Sequence, residues 1–273
     1  MDDTTSSARW QRQTIDKPLF PDLLWSRPEQ KSAAGKLLVI GGNLHAFGAP
    51  AEAFAEAEKA GAGTVRAVLP DSTRKIVGRI MEHVEYAPST PSGSFGQKAL
   101  AELLELSMWA DGVLIAGDLG RNSETAILLE KFASKYSGQL TLTKDAADYA
   151  IASPEMLHNR NNTLLVLSFA QLQKLASQLG FERAFTFDMD VLRFVDTLHE
   201  FTEKFPVYIV VKHLDQIHCG VHGAIVSTKL QDELEIWRIK IAAHTSVWWL
   251  QNPSRQLEAL ATGVHQAAIA ITP

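Results

Sequence analysis

The sequence predicts an α/β fold, a three-layer sandwich with a mostly parallel central sheet, helices on both faces and a short antiparallel edge. Three observations lead there. Short continuous apolar runs recur along the chain, as expected of strands buried on both faces. Segments of helical period separate them, which argues for βαβ units. Several of the turns between them carry glycine, where the chain must bend sharply or approach other backbone closely.

The stretch from Lys31 to Pro70 contains the clearest unit. Leu37 to Ile40 reads as a buried strand, ended by Gly41 and Gly42. Ala49 to Ala60 has helical spacing, with Phe54, Ala57 and Gly61 on one side and Glu52, Glu56 and Lys59 on the other. Gly61-Ala62-Gly63 closes that helix, and Thr64 to Leu69 returns as the next strand. Before this unit, Met1 to Thr14 is polar and expected to be mobile, and Pro18 to Trp25 is apolar and proline-broken. Residues 1–30 are therefore expected to be an extension lying on a single domain of residues 31–273, with Pro18 to Trp25 packed on the body or against another subunit.

Further on, Thr73 to His83 and Gln97 to Leu106 suggest helices, with a loop at Pro88 to Gly93. Gly112 to Ala116 is a strand, Thr125 to Tyr136 an amphipathic helix, and Gly138 to Leu142 another strand. Thr163 to Leu167 is a strand running into Ser168, a helix cap with Gln171 reaching back. Asp188 to Phe205 is a helix capped by Asp188, with Val191, Leu192, Val195, Leu198 and Phe201 or Thr202 on its apolar face. Val207 to Val211 is a β-branched strand. Asp215 to Cys219, Gly223 to Ser227 and Leu234 to Ile239 read as short antiparallel strands, and Ser254 to Ile271 as a terminal helix.

The 273 residues suffice for one large core, and 46% apolar with 21% charged residues is ordinary for a globular domain. A net charge of −5 argues against nucleic acid or an anionic membrane as the principal partner. Cys219 is the only cysteine, so no intrachain disulfide forms and a reducing, cytoplasmic setting fits. No apolar run approaches the roughly 18 residues of a membrane span, and the polar start carries no signal-peptide core.

Lys31, Gly35, Gly41-Gly42, Gly48-Ala49 and Ala60-Gly61-Ala62-Gly63 have an order and spacing that carry a resemblance. They resemble K-G-x-x-G, a strand, G-G-S, T-G-A-A and A-G-A-G of the ADP/ATP-dependent NAD(P)H-hydrate dehydratase family. That family lies in the ribokinase-like superfamily and repairs hydrated nicotinamide cofactors. The resemblance extends almost without gaps from Lys31 to the end. It implies a ribokinase-like fold, an ADP or ATP cosubstrate, a nicotinamide-related substrate, a homo-oligomer, and a ligand cleft at the carboxyl ends of the strands.

Laid on that pattern, Gly42, Asn43 and Ala49 take substrate-binding positions. The family's I-G-P-G-L-G-R falls on Ile115 to Arg121, keeping Leu119, Gly120 and Arg121 but placing Asp118 where a glycine stands. A carboxylate there would repel phosphate and fill space; the plainer alternative is a solvated loop aspartate. L-D-A-D-A-L falls on Leu142 to Ala147, keeping Asp145, which either meets a ligand or caps a helix. T-P-H-P-G-E falls on Val166 to Gln171 and loses its histidine, proline, glycine and glutamate; Ser168 remains as a hydrogen-bonding group but reads as a helix cap. Lys212, in the strand ending K-G, is a candidate for nucleotide phosphate or simply a solvated lysine.

The family's G-T-G-D supplies an anion hole of glycine amides and a proton-transferring aspartate at a helix amino end. By spacing it falls on Ala243-His244-Thr245-Ser246. Thr245 keeps a nucleotide-binding position, and Ser246 takes the aspartate's place without a base to activate it. Trp248 and Trp249 add bulk where the family has small residues. No G-x-G-D occurs anywhere in the chain. His213, His218, Cys219, His222 and His244 invite a metal reading, but their spacing matches no common zinc motif, and no metal is expected.

Three functions follow. One is an active dehydratase that phosphorylates the extra hydroxyl and eliminates phosphate. Another is a catalytically impaired homologue kept for binding or assembly, with Pro18 to Trp25 and the tryptophans as candidate surface. The third is a site re-purposed around Asp145, Lys212 and the nearby histidines. Retained packing glycines beside lost polar groups favour the second.

Overall fold

The computed structural model describes residues 9–78, 83–158, 160–230 and 237–269. Strand β1 (Trp10–Thr14) and helix α1 (Pro21–Trp25) precede the opening unit β2 (Lys36–Gly41), α2 (Gly48–Lys59) and β3 (Thr64–Pro70). Then come α3 (Arg74–Val77), β4 (Val84–Ala87), α4 (Leu100–Trp109), β5 (Gly112–Gly117) and α5 (Ser123–Lys135). Next are β6 (Gln139–Thr143), α6 (Lys144–Ala152), α7 (Glu155–His158), β7 (Thr163–Leu167), α8 (Phe169–Gln178) and α9 (Val191–Lys204). Strands β8 (Tyr208–His213), β9 (Gln216–Val221) and β10 (Ala224–Lys229) lead to α10 (Arg238–Gln251) and α11 (Gln256–Ile269).

One sheet runs in the order β1-β10-β9-β8-β7-β6-β5-β2-β3-β4. Strand β9 pairs antiparallel with β8 and β10, and the other pairings are parallel. The expected antiparallel element is therefore a single strand, with β10 and β1 beyond it. Alternation along β2 explains the continuous apolar run. Leu38 and Ile40 enter the core with Phe132 and Phe194, whereas Leu37 and Val39 enter the core with Trp248 and Trp249. Both faces are covered, so no polar face interrupts the strand.

Several expectations are corrected. Trp10–Thr14 is an edge strand, because Trp10 Nε1 donates to Ser227 Oγ at 2.8 Å and Gln13 Nε2 donates to Thr228 Oγ1 at 2.8 Å. Leu23 of α1 is buried, so part of Pro18 to Trp25 does pack on the body. The helix expected at Thr73 to His83 spans only Arg74–Val77 in the described residues; Gly78 caps it, and 79–82 lie outside them. Asp190, not Asp188, caps α9 by accepting the Arg193 N–H at 2.8 Å. On that helix Leu192 is exposed and Phe194 is buried, so the face turned to the core runs through Phe194, Val195, Leu198, Phe201 and Thr202. The strand expected at Leu234 to Ile239 lies mostly outside the described residues, and Arg238 and Ile239 open α10. Trp248 and Trp249 are core residues and offer no surface.

Candidate functional site

The carboxyl ends of β2, β5 and β6 meet in one cleft. Gly42 N donates to Gly117 O at 2.9 Å, and a Cβ on Gly41 would lie 2.6 Å from the same oxygen, so only glycine lets β2 and β5 come this close. Asn43 Nδ2 donates to Asp118 O at 2.6 Å, while its Oδ1 accepts the N–H groups of His45 and Ala46. The Asp118 carboxylate is doubly engaged: Oδ2 accepts the Ala49 N–H at the start of α2 at 2.7 Å, and Oδ1 accepts Lys144 Nζ at 2.8 Å. Asp118 is not a solvated loop residue; its side chain is only 16% exposed.

Asp145 Oδ2 accepts the Gly120 N–H at 3.1 Å, fixing the loop after β5. Burial pushes its carboxyl upward against the N–H groups of Gly120 and Leu119. It does not cap α6, whose cap position is Thr143. Thus Gly42, Asn43, Ala49, Asp118, Gly120 and Asp145 converge. Gly120 and Asp145 also line an adjoining groove of about 650 Å³ with Asn122, Asp148, Tyr149 and Lys174.

Ser168 forms the expected capping box with Gln171. Gln171 does more than cap. Its Nε2 donates to Lys144 O at 2.7 Å and Asp148 Oδ1 at 2.9 Å, and its Oε1 accepts Arg238 Nη1 at 3.0 Å. This side chain ties the starts of α6, α8 and α10 together. Lys212 is half-buried near the end of β8. No hydrogen bond among the described residues joins Lys212, Thr245 or Ser246 to the Asp118 cluster.

Ala243 to Ser246 are not at a helix amino end. They lie within α10, whose first helical residue is Arg238, so their backbone N–H groups are spent inside the helix. Thr245 is buried, with its hydroxyl donating back to Ile241 O at 2.6 Å. Ser246 is buried against the sheet, its Oγ 2.8 Å from Thr141 Oγ1. The amino end of α10 instead carries Trp237-Arg238-Ile239-Lys240. Burial lowers the pKa of both cations; Asp148 and Asp145 oppose this at Arg238, and Glu56 and Glu52 oppose it at Lys240.

Sequence reasoning missed Lys144, Arg238 and Lys240, together with the connecting role of Gln171. The Ser168-to-Gln171 spacing signalled a cap, but the partners across the cleft had no local signal. The histidines do not converge on one centre: His213 and His218 stack around Phe194, Cys219 faces the opposite core, and His244 bonds Glu56. Among the described residues no group of three or more His, Cys, Asp or Glu side chains is arranged to hold a metal ion. No helix there is long and apolar enough to cross a membrane.

The sheet order and the cleft at its carboxyl edge define a ribokinase-like fold. A ribokinase-like superfamily protein from Enterococcus faecalis V583 superposes with a TM-score of 0.75 at 15% identity, covering 95% of this chain and 86% of that one. The ADP/ATP-dependent NAD(P)H-hydrate dehydratase from Bacillus subtilis, co-crystallised with ATP and Mg2+, gives 0.61 at 13% identity, covering 92% and 87%. No family model matches the chain. In sequence, the bifunctional NAD(P)H-hydrate repair enzyme of Methanothermobacter thermautotrophicus is 34% identical over 96 residues, 35% of this chain and 18% of that protein. The corresponding enzyme of Methanocaldococcus jannaschii is 30% identical over 117 residues, 42% of this chain and 23% of that protein. The matches thus take in less than a third of those relatives' own length. Over part of its length the chain is thus similar in sequence to NAD(P)H-hydrate repair enzymes, and it shares its fold with an ADP/ATP-dependent NAD(P)H-hydrate dehydratase.

Proposed function

We propose that this chain is a catalytically impaired homologue of the NAD(P)H-hydrate dehydratases, retained as a binding or assembly module. The observation that carries the reading is the amino end of α10, where Arg238 and Lys240 stand and, among the described residues 237–240, neither a glycine nor a carboxylate is present. Phosphorylating the extra hydroxyl of a hydrated nicotinamide requires a base to take its proton as the bond to phosphorus forms. The hydroxyl of Ser246 is buried beside Thr141 and has no activating base. Asp145, the retained family carboxylate, spends one oxygen on the Gly120 N–H, and its other oxygen is buried without a hydrogen-bond partner among the described residues.

Binding is a separate matter from turnover. Arg238 and Lys240 put positive charge beside a helix amino end, a combination that suits the phosphates of ADP or ATP. The groove beside Asp145 and Tyr149 leaves room for a small molecule such as a nicotinamide derivative. Trp25 is 88% exposed, which supports a homo-oligomer built around α1. A cytoplasmic setting belongs to the same reading, resting on the lone buried Cys219.

The test is calorimetric titration with ADP, ATP and NADPH, alongside turnover of hydrated NADPH on the same sample. The expected result is no turnover, with or without nucleotide binding. Turnover dependent on ADP or ATP would overturn the proposal and leave an active dehydratase with a rearranged site.

A further inference from the structure

The Asp118 side chain bridges the start of α2 and the side chain of Lys144. Its Oδ2 takes the Ala49 N–H of α2 at 2.7 Å, and its Oδ1 takes the ammonium of Lys144 at 2.8 Å. A helix start and a lysine are each unremarkable on a protein surface. Here a carboxylate occupies both at once, with its backbone oxygen held by Asn43 Nδ2 at 2.6 Å. The conformation that allows this is costly. Asp118 and Lys144 both have left-handed backbones, at φ 57° and 52°, which L residues with side chains seldom adopt. Gly117 lies against them; a Cβ there would meet Lys144 Cβ at 2.8 Å and Asp145 Oδ1 at 2.9 Å.

We propose that Asp118 is a built-in ligand that occludes the cleft: the chain's own carboxylate takes the seat formed by the α2 amino end and Lys144. An external oxyanion of the orthophosphate class enters that seat only when the Asp118 carboxylate is removed. The tether makes the occlusion effective. A carboxylate fixed to the loop competes at high local concentration and loses little freedom on docking, whereas free phosphate loses all of its translational freedom. Displacing Asp118 would also bring two anions together near one lysine. The inference concerns the same cleft as the proposed function, but it does not depend on whether turnover is lost.

The experiment titrates inorganic phosphate, in a phosphate-free buffer of low ionic strength, into the wild-type chain, Asp118→Gly, Asp118→Asn and the double variant Asp118→Gly/Lys144→Ala. Glycine adopts the left-handed backbone freely and asparagine tolerates it, so both single variants suit the loop. Circular dichroism and thermal unfolding verify the fold of each. The wild type is expected to bind weakly or not at all. Asp118→Gly is expected to bind at least roughly tenfold more tightly, by charge-assisted hydrogen bonds that added salt weakens. Asp118→Asn, which keeps the bulk but frees Lys144, is expected to gain less. The double variant should lose the gain.

Equal phosphate affinity in the wild type and Asp118→Gly would overturn the proposal. So would the absence of any gain in whichever single variants fold, or a gain that survives removal of Lys144. Turnover of hydrated NADPH by the wild type would refute the proposed function and leave this phosphate result unchanged.

Discussion

His244 Nε2 lies 3.2 Å from Glu56 Oε2 across the buried contact between α10 and α2. The helical spacing of α2 put Glu56 on a solvent face, yet it is 8% exposed. Its Oε1 also receives Lys59 Nζ at 2.6 Å. Burial pushes the Glu56 carboxyl upward, but the hydrogen bonds from Lys59 and His244 outweigh it and leave its pKa lowered. Burial drives the His244 pKa down to about 4, against the pull of Glu56 and with the help of Lys240 and Arg27. Near neutral pH the imidazole is therefore uncharged and donates Nε2–H to the carboxylate.

This pair makes the fold acid-sensitive. His244 titrates near its ordinary 6.5 when unfolded and near 4 when folded, so the unfolded chain binds more protons between those values. Its contribution is complete above the upper value and is lost as pH falls towards the lower one, by on the order of 3 kcal/mol. Glu56, lowered in the fold, acts in the same direction at lower pH. The expected result is a steady fall in the thermal midpoint from pH 7 to 4, with a shallower slope for His244→Gln. A wild-type midpoint independent of pH over that range would contradict the assignment.

A second prediction concerns the edge strand. Trp10 Nε1–H donates to Ser227 Oγ, and that hydroxyl lies 2.7 Å from His218 Nδ1, a buried imidazole whose pKa burial lowers to about 3. The neutral ring accepts the hydroxyl proton, leaving Ser227 free to accept from the indole. Ser227→Ala leaves the buried His218 Nδ1 and the part-buried Trp10 N–H unpaired and is expected to cost about 1–3 kcal/mol. Amide exchange in Trp10–Thr14 should accelerate more than exchange in β6 or β7. Uniform acceleration would mean that β1 does not open on its own.

Legibility differed between the scaffold and the site. Strands such as Leu37–Ile40 and Thr163–Leu167 were readable because burial on both faces leaves an unbroken apolar run. The Ser168–Gln171 cap was readable because both partners lie within one helical turn. Strand β1 was not, since Trp10–Thr14 is polar and its place is set by β10, more than two hundred residues away in sequence. The site suffered more. Spacing from the chain's end put the family's catalytic motif at Ala243 to Ser246, whereas α10 opens at Arg238, about one and a half turns earlier. Nothing local in Asp118 or Lys144 reveals that the two meet, because each belongs to a different strand end.

The final prediction tests the layer behind the cleft. Helices α10 and α11 pack so closely at Gly263 that an added Cβ would lie 2.8 Å from Thr245 Cα and 3.0 Å from Thr245 N. Those neighbours are helix backbone, which cannot swing aside as a side chain would. Thr245 is itself buried, so the clash is met by shifting a helix rather than by exposing a residue. Gly263→Ala would gain helix propensity of up to about 1 kcal/mol, but overpacking here typically costs 1–3 kcal/mol. The net effect expected is destabilisation by about 1–2 kcal/mol, read as a lower urea midpoint at unchanged m-value. Because α10 also carries Arg238, its displacement should weaken the Gln171–Arg238 contact and loosen the starts of α6 and α8. Faster amide exchange at Lys144 and Gln171 would register that displacement; a stabilised variant would show that the helices can separate without strain.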